Sequence, residues 1–86
     1  MRLADQMKER LRSAFSAEMI EIVDESESHR GHSGYREGGE SHFRIRMRAA
    51  EFASMTRLER HRAVHAALGA EIVGRIHALA LELTHP

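Results

Sequence analysis

The sequence contains no cysteine and no tryptophan. Without thiols it can form no disulfide and present no thiolate nucleophile, and a metal would find only nitrogen and oxygen donors. Rings are scarce, with one tyrosine and three phenylalanines, which argues against a platform that stacks nucleic-acid bases. Formal net charge is zero with histidines neutral, so no bulk field draws the chain to a polyanion or an anionic membrane. Long apolar runs are also missing. Glu71 and Arg75 interrupt the longest one, so no segment is expected to span a bilayer. The first ten residues lack the apolar core of a signal peptide, so none is expected. All this fits a cytoplasmic protein.

Catalytic signatures are absent too. There is no nucleophile elbow, Cys-His pair, P-loop or His-Glu-x-x-His, and no carboxylates are spaced as an acid/base pair. An enzyme is not expected.

What is present suits one small domain over residues 1–86. Apolar content of 42 % supplies a modest core and 30 % charged residues a solvated surface. Seven histidines are many for 86 residues, and protonating them near pH 6 makes the protein basic.

The chain is organised around residues 56–83. Thr56 and Glu59 have capping-box spacing, so a helix is expected to start there. Its apolar stripe reads Leu58, Val64, Leu68 and Ile72, and Gly74 is placed to stop it as a left-handed C-cap. From Arg75 the pattern has period two. His77, Leu79, Leu81 and Leu83 share one face, with Ile76, Ala78 and Ala80 on the other. Upstream, Leu3, Met7, Leu11, Ala14 and Phe15 mark an amphipathic helix over 3–15. Residues 19–24 read as a short strand. In 42–48 Phe43, Ile45 and Met47 alternate with Arg44, Arg46 and Arg48, the clearest strand in the chain. Residues 24–41 are polar and glycine-rich, a long loop of the kind that is either functional or disordered. Phe52 anchors the connection over 49–55.

The order is helix, strand, strand, helix, strand. Strands one and two can pair antiparallel, and strand three can join strand two in parallel through a right-handed helical crossover. The expected fold is α+β, an α-β-β-α-β order with a three-stranded mixed sheet and helices on one face.

Four stretches in this order resemble the BolA family: Asp24-Glu25-Ser26, Glu40-Ser41-His42-Phe43, Arg60-His61-Arg62-Ala63-Val64 and Ile76-His77-Ala78-Leu79. The resemblance covers about residues 3 to 84 and implies a fold similar to the class II KH domain. BolA-like proteins pair with monothiol glutaredoxins and can share a bridged [2Fe–2S] cluster. The glutaredoxin cysteine and glutathione then supply sulfur, and the BolA partner supplies histidine nitrogen. The resemblance therefore implies His77 as one ligand and a loop histidine, His29 or His32, as the other. Counting from Asp24 favours His29, and counting back from His42 favours His32. The isolated protein is expected to carry no cofactor and to be a monomer or weak homodimer. Iron homeostasis, transcription regulation and stress response come with the family.

Spacing alone supports less. His29-x-x-His32 with His77 could assemble a nitrogen site, but loop histidines are mostly solvated and His77 could be a core-edge residue. His61 and His65 are four apart on a helix and could chelate, with packing the better reading. Arg60 and Arg62 are expected to hold the helix against its neighbours or to face a partner. His42 reads as structural, hydrogen-bonded across to the helix. Arg44, Arg46 and Arg48 form the best nucleic-acid candidate, three cations at period two, unless Glu21 and Glu82 pair with them. Gly31-His-Ser-Gly34 spells the G-x-x-G of a KH domain but lies between strands, where such a clamp is not expected. The expected function is an adaptor of iron–sulfur or iron handling. A DNA-binding regulator is the alternative, and an interaction module without metal is a third reading.

Overall fold

The computed structural model describes residues 2–26 and 41–86. His29, His32 and the Gly31–Gly34 motif lie outside the described residues. The elements are α1 (Leu3–Ala14), β1 (Ala17–Asp24), β2 (His42–Ala49), a 3-10 helix (Ala50–Ser54), α2 (Arg57–Leu68), α3 (Ala70–Gly74) and β3 (Ala78–Thr84). The sheet has the order β1-β2-β3. β1 is antiparallel to β2, and β3 is parallel to it through the α2–α3 crossover. This is the α+β order that the sequence pattern gives.

β2 is central, and its alternation decides the layering. Phe43, Ile45, Met47 and Ala49 are buried among Leu3, Met7 and Leu11 of α1, Phe52 of the 3-10 helix, Val64 and Leu68 of α2, and Ile72 of α3. Burying each large side chain here stabilises the fold by about 1.5–3 kcal/mol. Arg44, Arg46 and Arg48 point away from that core.

The helical region departs from the sequence pattern in two ways. One helix ending at Gly74 was expected, but the break falls at Gly69, whose φ of 87° and ψ of 152° separate α2 from α3. That backbone region is open essentially to glycine alone. Gly69 N–H donates to His65 O, and Arg10 Nη1 donates to Leu68 O at 3.2 Å, so α1 supplies a cation to the C-terminal end of α2. Gly74 instead lies inside the last turn of α3. Leu58 is also no part of the buried stripe. It is 58 % exposed in the first turn, while Val64, Leu68 and Ile72 are buried.

The start of α2 matches its residues. The Thr56 side chain accepts from Glu59 N–H at 3.1 Å, and Glu59 Oε1 accepts from Thr56 N–H at 2.8 Å. Arg60 then ties three elements together. Its Nε donates to Met55 O at 3.2 Å, its Nη1 to Leu83 O at 3.1 Å, and its guanidinium lies 6.0 Å from the Phe52 ring centroid.

Candidate functional site

The N-terminal ends of β2 and β3 lie side by side, with His42 in register with Ala78. This brings five polar residues together. Ser26 is buried, and its N–H and hydroxyl both donate to Asp24 Oδ1. Ser26 Oγ in turn accepts from Ser41 N–H at 2.9 Å and His42 N–H at 3.2 Å, and also meets Ser41 Oγ at 3.2 Å. Ser41 is itself buried. Its Oγ lies 2.8 Å from His42 Nδ1, and its single hydroxyl proton serves either that nitrogen or Ser26. Its carbonyl accepts from His77 N–H at 2.7 Å and Ala78 N–H at 3.2 Å.

The outcome is a fixed histidine. His77 is exposed just ahead of β3, with its backbone pinned by the Ser41 carbonyl and its ring 5.1 Å from the ring of buried His42. An exposed imidazole on a held backbone is a ready nitrogen donor. His42 is only 4 % exposed, and its Nδ1 is engaged with Ser41. Sequence reading marked His77 and gave His42 a structural part, but it missed Ser26 and Ser41. The Asp24-Glu25-Ser26 and Glu40-Ser41-His42-Phe43 stretches were visible, and only the fold joins them.

The other candidates are scattered. His61 is half-buried on α2, and Arg62 and His65 are exposed there. Among the described residues no group of three or more His, Cys, Asp or Glu is arranged to hold a metal.

The arginine stripe is a charge ladder. Arg44 pairs with Glu25 at 3.1 Å and Glu82 at 3.5 Å, Arg46 with Glu21 at 3.4 Å and Glu82 at 3.8 Å, and Arg48 with Glu18 at 3.4 Å. The hydrogen bond and charge of Glu25, followed by the charge of Glu82, raise the Arg44 pKa above its ordinary value. Glu21 and Glu82 were foreseeable partners because they stand opposite Arg46 in register. Glu18 was not, because it sits at a register shift between Ala17 and Met19 that the sequence pattern does not reveal. Three arginines thus face four glutamates, and among the described residues this ladder carries no excess positive charge.

Known proteins resemble this chain in sequence and in fold. A family model described as BolA-like protein matches residues 11–86. A Sinorhizobium protein named "Uncharacterized protein in cobS 5'region" is 40 % identical, covering 100 % of this chain and 94 % of that protein. The Escherichia coli "DNA-binding transcriptional regulator BolA" is 36 % identical over 94 % of this chain and 73 % of its own length. Human "BolA-like protein 1" is 38 % identical over 93 % of this chain, which spans only 56 % of the human protein. Among solved structures, BolA1 from Arabidopsis thaliana superposes with a TM-score of 0.82 at 27 % identity, covering 100 % of this chain and 94 % of that one. The solution structure of BolA1 from Mus musculus gives 0.81 at 35 % identity, covering 100 % and 67 %.

Proposed function

The chain belongs to the BolA family, and from that premise we propose that it is a cytoplasmic adaptor of iron–sulfur or iron handling that binds a monothiol glutaredoxin and lends histidine nitrogen to a shared [2Fe–2S] cluster. One observation carries the reading: His77 is exposed while its backbone is pinned to Ser41.

The donor set fits the group. This chain has no thiolate, so all cysteine and glutathione sulfur must come from the partner. The cluster, once bound, supplies an iron that accepts imidazole in place of thiolate on one side, as in a Rieske centre, which raises its potential. Several residues of the chain prepare for that. The Ser41 carbonyl fixes the start of β3, the His42 ring backs the His77 ring, and the Ser26 hydroxyl holds Ser41 and His42 in turn. Such supporting contacts orient a ligand before metal arrives. His29 or His32 would complete the nitrogen pair.

The test is co-expression with a monothiol glutaredoxin, then absorption and circular dichroism of the purified pair. A coloured heterodimer whose spectrum changes in H77A supports the reading, and a spectrum indifferent to H77A contradicts it.

A second reading is a DNA-binding regulator, favoured by the name of the E. coli relative and by a half-exposed arginine stripe. The carboxylates opposite each arginine weigh against that face as a phosphate track.

A further inference from the structure

We propose that His61 and His65 form a chelating site on α2 for a divalent transition cation of the Ni²⁺, Cu²⁺ or Zn²⁺ class. The two residues are four apart inside the continuous helix Arg57–Leu68. Their side chains therefore leave the same face about one 5.4 Å turn apart. Helical side chains lean toward the N-terminus, so a rotamer of His65 can bring its ring over the turn that carries His61. His65 is exposed and His61 half-buried. Neither ring is engaged by another described residue, so both keep nitrogen available to a metal.

The helix beneath them is stiff. A capping box closes its N-terminus, and Val64 and Leu68 anchor it in the core. Arg60, next to His61, is held by two backbone carbonyls. Two imidazoles on such a support need little ordering to meet one ion. The spacing equals that of the histidines in helical zinc motifs, but Arg62, Ala63 and Val64 replace the segment that carries a general-base glutamate there. The site is thus one for binding and not for hydrolysis. No third histidine or carboxylate joins the pair among the described residues, so water completes the coordination. Imidazole selects Ni²⁺, Cu²⁺ and Zn²⁺ over Mg²⁺ and Ca²⁺, which take oxygen ligands. The site uses no residue of the His77 cluster and stands whether or not the glutaredoxin reading does.

The experiment uses the full chain and Ni²⁺ alone. In an H29Q/H32Q/H77Q background, which removes the other proposed ligands, Ni²⁺ should still raise the thermal midpoint because it binds only the folded helix. It should also broaden the ring resonances of His61 and His65 ahead of other histidines. Adding H65Q should abolish the midpoint rise and weaken Ni²⁺ binding by about tenfold or more. The unsubstituted chain and its H65Q variant, read at the His61 ring signal, answer the question even if the triple background folds poorly. A midpoint response that is the same with and without His65, or broadening at other histidines first in the triple background, overturns the proposal.

Discussion

The imidazoles of His42 and His77 lie 5.1 Å apart, centroid to centroid, and are tilted by 52°. One is buried and the other exposed, so the inner ring backs the outer one. The contact exists because β2 and β3 run parallel with His42 opposite Ala78, and because the Ser41 carbonyl accepts the His77 amide.

Ser26 is the residue on which that corner depends. Ser26→Ala removes an acceptor from the buried Ser41 and His42 amides. Left unsatisfied, they should cost about 2–3 kcal/mol. Urea denaturation should show this as a lower midpoint with an unchanged slope. Amide exchange at His77 and Ala78 should speed up more than the global loss explains, since their shared acceptor is loosened. A change below about 0.5 kcal/mol would mean that the clasp does not hold the corner.

Two glycines five positions apart should answer the same substitution oppositely. Gly69 has φ of 87°, and a Cβ there would stand 3.0 Å from Arg10 Nη1. Gly69→Ala should destabilise by about 1–3 kcal/mol. Gly74 has nothing within 4 Å of an added Cβ and lies in helix, so Gly74→Ala should stabilise by about 0.4–1 kcal/mol. Equal effects from paired denaturation curves would contradict the assigned break.

These glycines mark where sequence pattern stops being informative. Both follow a helical apolar residue, and local signals do not say which one breaks the helix. The choice is made by α1, whose Arg10 meets the end of α2 at Leu68. Leu58 misleads for a similar reason: it has stripe spacing, but at the first turn of α2 no described element buries it. The strands were legible because period-two alternation in β2 is a local property that the core simply reads. His77 was legible as a strand-end histidine. The Ser26–Ser41 clasp was not, since it arises only where antiparallel pairing sets Asp24 opposite Phe43 and so brings the two serines together.

Arg60 should tolerate neither truncation nor a lysine. Its planar fork serves Met55 O and Leu83 O at once, over the face of Phe52. Arg60→Ala should cost about 2–3 kcal/mol, and Arg60→Lys should recover less than half of it, because one ammonium does not reproduce the fork. Full recovery by lysine, measured in urea, would reduce the role of Arg60 to its charge.

The arginine ladder separates the two functional readings. If Arg44, Arg46 and Arg48 are occupied by their glutamates, the triple alanine variant should bind duplex DNA as weakly as the parent, with the same salt dependence. If they instead track phosphates, the slope of log affinity against log salt should become shallower by about 3. Fluorescence anisotropy across a salt series distinguishes these outcomes.

The most direct measurement is the visible circular dichroism of the glutaredoxin heterodimer carrying His77→Ala, beside the unsubstituted pair. The account predicts that the pair still forms but loses the bands of an iron bound by both nitrogen and sulfur. Retention of those bands at full intensity would contradict it.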